Sequence, residues 1–339
     1  MDKNLPKVTL LIVVRNERGY IEKSLQSLLD QTYPRELTEI IVVDGMSTDG
    51  TKEWLQSKLK ELRVKGNDIK LLDNPEYILA SGWNMGIKNA SGDIVCRIDA
   101  HSEIDSHYVI TGVRNLLERK KENVVCVGGI LKNEGIGFLG KAIATLFSSR
   151  FGVGNSVFRV GINKPIFTDT AVFGLYWKWV FDKVGYFDES LERNQDIALH
   201  SKILENGYKL ITHPAMKTTY YVRNTLSKFL KKAFGDGYWV IASEKSYLRH
   251  KTPLFFVLYL ISIPVTFWAF KLCGIPILSY FYLFPLFLYF ILSLYFGLKS
   301  GGYVSKLLLP FLFPAFHISY GIGSLKAIGD KYILRKPLD

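Results

Sequence analysis

The run Gly92-Asp93-Ile94-Val95-Cys96-Arg97-Ile98-Asp99-Ala100-His101 ends an apolar, β-branched stretch with a carboxylate and an imidazole two positions apart. Its alternation reads as a strand, and a parallel sheet binds its ligands outside the carboxyl ends of its strands. Asp99 and His101 are donors of the types a divalent cation accepts, and they are also ordinary turn formers. A second carboxylate, Asp44, closes the apolar run Ile40-Ile41-Val42-Val43, where it can hydrogen-bond a base or a ribose. The loop Gly45-Met46-Ser47-Thr48-Asp49-Gly50-Thr51 follows at once. Its Ser47, Thr48 and Asp49 are also N-cap residue types, and the expectation is capping for Asp49 and ligand contact for Asp44.

Strands and helices alternate so as to carry these residues to one edge. Val8 to Val14 reads as a buried strand, Tyr20 to Gln31 as an amphipathic helix, and Glu39 to Val43 as a second strand. A helix over Gly50 to Lys65, a short strand at Ile69 to Leu72, a helix over Ala80 to Asn89 and the strand Asp93 to Ile98 come next. Right-handed crossovers wind that order into a doubly wound α/β sheet. Val14-Arg15-Asn16-Glu17-Arg18-Gly19 stands after the first strand where a dinucleotide dehydrogenase would carry G-x-G-x-x-G, and there is no P-loop.

The net charge of +12 is unevenly spread: residues 226–339 hold 13 Lys and Arg against 4 Asp and Glu. That excess flanks three segments without a charge, Pro253 to Phe270, Leu272 to Leu298 and Leu307 to Leu325. Each is long enough to cross a hydrocarbon core of roughly 30 Å. Lys228, Lys231, Lys232, Lys245, Arg249 and Lys251 precede the first, where cytoplasmic-side basic residues collect, so the basic stretch reads as membrane-facing rather than as nucleic-acid binding. Three crossings would set Lys326, Lys331, Arg335 and Lys336 on the far side, against the positive-inside tendency. Pro310 and Pro314 interrupt the last segment, so two crossings with a re-entrant third element and three crossings both stand. Cys96, Cys126 and Cys273 have no metal-site spacing and fit a reducing compartment. The first seven residues lack the basic start and apolar run of a secretory signal, and the first domain is expected in the cytosol on the inner membrane. The expected division is an α/β domain over 1–225, a basic juxtamembrane or interface segment over 226–251, a membrane domain over 252–325 and a basic tail over 326–339.

The succession of Val8-Thr9-Leu10-Leu11-Ile12-Val13-Val14-Arg15-Asn16-Glu17, Ile41 to Thr51 and Asp99-Ala100-His101 resembles glycosyltransferase family 2 with its GT-A fold. The likeness is to the bacterial exopolysaccharide subgroup of the succinoglycan glucosyltransferase type, and it covers roughly residues 5–240. It implies a GT-A, Rossmann-like doubly wound mixed sheet followed by transmembrane helices. By position, Asp44 would bind the base of a nucleoside-diphosphate sugar, and Arg15 and Glu17 would line the same pocket. Asp99 would face the ribose and diphosphate, and Asp99 and His101 would hold Mn²⁺ or Mg²⁺. His101 replaces the family's commoner second carboxylate, and an imidazole suits Mn²⁺ better than Mg²⁺.

Ala80-Ser81-Gly82-Trp83-Asn84-Met85-Gly86 opens a helix with small residues, and the resemblance makes Asn84 a candidate phosphate contact, although many members carry Arg where Trp83 stands. Thr168-Asp169-Thr170-Ala171-Val172-Phe173-Gly174 and Val184-Gly185-Tyr186-Phe187-Asp188-Glu189 resemble the acceptor side. Asp196, following Gln195 where the family usually has Glu, would be the general base that takes the acceptor hydroxyl proton. In the first turn of its helix it also complements the dipole. His213 reads as structural. The apolar stripe Phe138-Leu139, Ala142-Ile143, Leu146-Phe147 reads as core, with membrane-interface contact as the other possibility.

The resemblance thus implies an inverting, metal-dependent hexosyltransferase-type enzyme of polysaccharide biosynthesis. It would move one sugar from a UDP-linked donor to a lipid-linked saccharide. Long-polymer synthases carry Gln-x-x-Arg-Trp near the basic segment, and Lys231-Lys232-Ala233-Phe234-Gly235-Asp236-Gly237-Tyr238-Trp239 stands there instead, which disfavours a processive synthase. A polyprenyl-phosphate sugar synthase and a non-catalytic membrane-anchored binding protein remain as alternatives.

Overall fold

The computed structural model describes residues 5–243 and 247–334. Lys245, Arg335 and Lys336 of the two basic clusters lie outside the described residues.

The first half alternates as expected: β1 (Val8–Val14), α1 (Ile21–Leu29), β2 (Thr38–Asp44), α2 (Thr51–Val64), β3 (Asp68–Asp73), α3 (Leu79–Asn89) and β4 (Ile94–Asp99). Every residue of β1 is buried, so layers cover the sheet on both faces and an uninterrupted apolar run suits it better than alternation. β1, β2 and β3 pair in parallel on one side, and β4 joins β1 in parallel on the other. The strand order therefore reverses between β1 and β4. That switch point is where a doubly wound sheet opens a crevice for a ligand.

Beyond it come β5 (Ser102–Ile104), α4 (Tyr108–Glu118), β6 (Val124–Glu134), α5 (Gly137–Phe147), α6 (Arg150–Val153), α7 (Val157–Val160), β7 (Ile166–Thr168) and β8 (Val172–Trp177). Then follow α8 (Trp179–Val184), α9 (Gln195–Glu205) and β9 (Lys209–Tyr221). β8 pairs antiparallel with β4, and the sheet runs β3-β2-β1-β4-β8-β6-β9-β5, with β7 also on β9. The sheet is thus mixed as well as doubly wound. One face packs Leu11, Val13, Ile41, Val43 and Val95 against Trp83 and Ile87 of α3 and Leu199 and Ile203 of α9. Gly86 lets α3 settle this closely, because a Cβ there would strike the Leu11 side chain.

The chain divides into two compact units, Met1–Lys132 with Gly161–Tyr221, and Asn133–Val160 with Val222–Asp339. The second unit holds α5 to α7, α10 (Leu226–Ala242), α11 (Thr252–Leu272), α12 (Leu278–Tyr282), α13 (Phe284–Lys299) and α14 (Tyr303–Ile328). Ala142, Ile143, Leu146 and Phe147 of α5 are buried, and the Phe147 ring meets Phe229 of α10 and Phe316 of α14. The stripe is core, apart from the exposed Phe138 at its start.

Leu248–Leu272, Leu278–Lys299 and Tyr303–Ile333 are long and apolar enough to cross a membrane, which supports multi-pass anchoring. They are not alike. Protein covers 11 % of the most apolar window in each of the first two and 39 % in the third. α10 accounts for part of that cover. The Phe229 and Phe316 rings stack, the Ser319 hydroxyl donates to the Leu230 carbonyl at 2.9 Å, and the Ser324 hydroxyl donates to the Gly237 carbonyl at 2.8 Å. The Tyr238 hydroxyl reaches Asp330 at 3.3 Å. Both residue numbers rise together, so α10 runs parallel to the second half of α14. α10 carries Lys228, Lys231 and the pair Lys232–Asp236, whose charged atoms are 2.7 Å apart.

Candidate active site

The carboxyl ends of β1, β2 and β4 bring the expected donor-side residues to one edge. In register, Val14 stands opposite Asp44 and Val13 opposite Asp99. Asp44 is fully buried. Its Oδ2 accepts from the Ser47 amide at 3.0 Å, and its Oδ1 is buried with no hydrogen-bond partner. A buried acceptor left unmade costs roughly 1–3 kcal/mol, so such an atom is a place for a ligand donor.

The two loops beside Asp44 hold one another. Asn16, at a positive φ of 55°, donates its amide to Ser47 Oγ at 3.0 Å and accepts at Oδ1 from the Thr48 amide at 2.8 Å. The N-cap of α2 is Gly50, at a φ of 86°, rather than Asp49. Asp49 sits one residue earlier, where it accepts from the Thr51 amide at 3.0 Å and the Arg18 amide at 3.1 Å. Asp49 thus takes a first-turn amide of α2 as expected, from one residue before the N-cap glycine, whose left-handed turn suits glycine. Arg15 is exposed, with its guanidinium 4.8 Å from the centre of the Tyr77 ring.

Asp99 ends β4 half-buried, and its main-chain oxygen accepts from the Ser102 hydroxyl at 2.6 Å, which shapes the turn that presents His101. The imidazole meets Tyr220 edge-on at 5.0 Å, and His101 Nδ1 lies 3.5 Å from Glu17 Oε1. Glu17 therefore sits with His101, on the cation side of the expected pocket. No group of three His, Cys, Asp or Glu that could hold a metal forms among the described residues. Asp99 and His101 would by themselves offer two donors, and a cation held by so few would share its remaining positions with water or substrate phosphates.

In the ligand-free protein Asn84, expected as a phosphate contact, bonds to the turn that follows α8. Its Nδ2 donates to the Phe187 carbonyl at 2.9 Å and to Glu189 Oε1 at 2.6 Å, while its Oδ1 accepts from the Phe187 amide at 3.0 Å. Those bonds use both of its amide hydrogens and tie α3 to the turn over 184–189.

Asp196 lies in the first turn of α9, half-buried, after Asn194 at a positive φ of 62°. Gln195 is buried and spends its Nε2 on the Leu191 carbonyl at 2.7 Å. One turn on, His200 is fully buried between the Thr170 hydroxyl at 3.1 Å and the Tyr176 hydroxyl at 2.7 Å. Burial holds its pKa down to about 4, so the ring is neutral and binds the 168–174 segment to α9. His213 accepts at Nδ1 from the Ala215 amide at 3.1 Å, a structural part as expected.

Arg97 went unassigned in the sequence. It is 5 % exposed, on the same face of β4 as Asp99, with its guanidinium 4.0 Å from the centre of the Trp83 ring. Burial works against its charge, but Asp99 and then Asp196 outweigh it and keep the pKa above the ordinary value. A signal existed: it is the one charged side chain inside the apolar run Ile94 to Ile98.

The model of the family described as Glycosyl transferase family 2 matches residues 9–185. The dolichyl N-acetyl-alpha-D-glucosaminyl phosphate 3-beta-D-2,3-diacetamido-2,3-dideoxy-beta-D-glucuronosyltransferase of Methanococcus voltae is 29 % identical over 235 residues, 68 % of this chain and 71 % of that protein. Succinoglycan biosynthesis protein ExoA of Rhizobium meliloti is 28 % identical over 251 residues, 73 % of this chain and 72 % of that one. Among solved structures, the mannosyltransferase PcManGT from Pyrobaculum calidifontis in complex with GDP-Man and Mn²⁺ matches with a TM-score of 0.60, over 97 % of this chain and 89 % of that one. At 17 % identity that likeness is one of fold.

Proposed function

The chain belongs to glycosyl transferase family 2, and from that premise we propose an inverting, divalent-metal-dependent enzyme that adds one sugar to a lipid-linked saccharide at the cytosolic face of the membrane. The general activity, transfer from a nucleoside-diphosphate sugar by a membrane-anchored glycosyltransferase, follows from the family and the apolar helices. The observation that carries the finer reading is the switch-point edge, with the unpartnered Asp44 Oδ1 beside β1 and the Asp99-His101 turn at the end of β4. The lipid-linked acceptor draws support from the Methanococcus relative, whose name gives a dolichyl phosphate sugar as acceptor, and succinoglycan-type cell-surface glycan synthesis from the Rhizobium one. Lys228, Lys231, Lys232, Arg249 and Lys251 before the first apolar helix favour the cytosolic side.

In this mechanism Asp44 Oδ1 accepts an N–H of the base, with UDP as the expected nucleotide, and Arg15 lies at the rim of that pocket. Asp99 and His101 would hold Mn²⁺ or Mg²⁺, with Glu17 against the imidazole. When bound, the cation acts as a Lewis acid towards the departing diphosphate. Asp196 accepts the proton of the acceptor hydroxyl as its oxygen bonds to the anomeric carbon. The bond from that carbon to the diphosphate oxygen breaks on the opposite face, so the configuration inverts.

The test is release of nucleoside diphosphate from a panel of nucleotide sugars, with Mn²⁺ and a lipid-linked saccharide. Asp196→Asn should lower turnover about 100- to 10,000-fold with donor affinity unchanged. Full turnover by that variant with a polyprenyl phosphate as acceptor would favour a polyprenyl-phosphate sugar synthase, since a phosphate needs little help from a base. If the protein binds no nucleoside diphosphate with or without metal, the reading fails.

A further inference from the structure

A guanidinium buried without hydrogen-bond partners is an expensive object, several kcal/mol in ordinary experience, unless something arrives to complete it. Arg97 is such an object. Its Nε and Nη1 are buried and have no partner. Its central carbon lies 4.0 Å from the centre of the Trp83 ring and 5.7 Å from that of Phe187. The aromatic rings satisfy none of its N–H groups, which are left for new bonds.

Its place on β4 is informative. Strand alternation puts Arg97 on the face of Val95 and Asp99, towards α3 and α9. It stands opposite Leu11 in the β1 register, one pleat below Val13 and Asp99 at the crevice. Trp83 provides the aromatic surface beside a cation rooted in the neighbouring strand.

We propose that Arg97 is a donor-binding residue, whose free N–H edge takes anionic oxygens of the nucleotide sugar. This rests on the proposed donor reading and deepens it. Two parts of a donor offer such oxygens: the diphosphate, which every donor has, and a carboxylate on the sugar, which only a uronate has. A planar fork suits both. The alternative is a brace that steadies Asp99 and Asp196 in the unliganded protein.

The full chain in detergent with Mn²⁺ separates these possibilities by titration with UDP, UDP-glucose and UDP-glucuronate, and with GDP, GDP-glucose and GDP-glucuronate if the uridine set does not bind. Arg97→Met keeps an unbranched apolar stem beside the indole and loses the charge and the N–H groups. Arg97→Lys keeps the charge and loses the fork. Both variants should lose at least tenfold in affinity, while the ligand-free thermal midpoint of Arg97→Met is unchanged or raised. A loss shared by all three ligands assigns the fork to the diphosphate, and a loss confined to the glucuronate assigns it to a sugar carboxylate. Nucleoside diphosphate and glucuronate affinities within twofold of the parent overturn the proposal. So does a lowered ligand-free midpoint in Arg97→Met that Arg97→Lys restores together with affinity, which is the mark of a brace. A parent that binds no member of either set fails at the donor reading itself, before Arg97 is in question.

Discussion

Replacing Asp44 by Asn tests the donor pocket with one atom. The side chain is fully buried, Oδ2 is used by the Ser47 amide at 3.0 Å, and Oδ1 has no partner. Asn keeps one oxygen for Ser47 and puts an NH₂ where the unpartnered oxygen was. In the ligand-free protein this exchanges an unpartnered buried acceptor for an unpartnered buried NH₂, each costing roughly 1–3 kcal/mol, and removes a buried charge, so the thermal midpoint should hold or rise. With the nucleotide bound, the NH₂ faces an N–H of the base, and donor meets donor. A hydrogen bond to a charged group contributes roughly 1.5–3 kcal/mol, which at about 1.4 kcal/mol per tenfold predicts a loss of roughly 10- to 100-fold in affinity. Calorimetric titration of the full chain with UDP and Mn²⁺, beside a thermal melt without ligand, reads both quantities. An affinity within twofold of the parent refutes the assignment. A midpoint several degrees lower refutes the reasoning differently, by making Oδ1 a structural acceptor.

His101→Asp should raise Mg²⁺-supported turnover relative to Mn²⁺, because a second carboxylate suits the harder ion; an identical ratio in both proteins counts against ligation. Stability should fall in mild acid through His200, which burial holds at about 4 against an ordinary 6.5. Between those values the unfolded chain binds more protons, so this contribution is whole above pH 6.5 and declines as the pH falls to 4, by on the order of 3 kcal/mol. His200→Gln should flatten that limb of a denaturation series, and an unchanged slope would place the acid sensitivity elsewhere. The third apolar helix should not complete a crossing. Its second half, from Phe316, runs beside the charged α10, and 303–315 alone reaches only about 20 Å at 1.5 Å per residue. The exposed Cys273, between the first two spans, and a cysteine replacing Lys331 should then label with an impermeant maleimide from opposite sides of a vesicle. Labelling from the same side would establish a third crossing.

The winding of the first half was legible because each strand is an apolar run and each helix an amphipathic one; every expected element from β1 to β4 is present, with ends shifted by at most two residues. Asp44 and Asp99 could be placed at strand ends because the run itself marks where the strand stops. Asn84 could not, since its partners Phe187 and Glu189 lie 103 and 105 residues away and no local pattern encodes that distance. Arg97 was passed over for a related reason: a lone cation in a strand gives no hint that an indole from α3 lies beneath it. The antiparallel half of the sheet carried recognisable segments without a legible pairing, because register there depends on β8 meeting β4 across a long connection.

The segment over 133–160 interrupts the catalytic part of the sequence yet packs with the residues after Val222, with Phe147 of α5 between rings from α10 and α14. For anyone preparing a soluble fragment, this makes the obvious cut the wrong one. A chain stopped at Tyr221 would keep α5 and lose what covers it, presenting Ile143, Leu146 and Phe147 to water as an aggregation surface. A workable excision has two ends in the middle of the sequence as well as one near its close, replacing 133–160 by a short linker. Natural exchange of membrane anchors within such a chain faces the same constraint: the anchor cannot be traded as a C-terminal cassette, because part of it is encoded inside the enzyme.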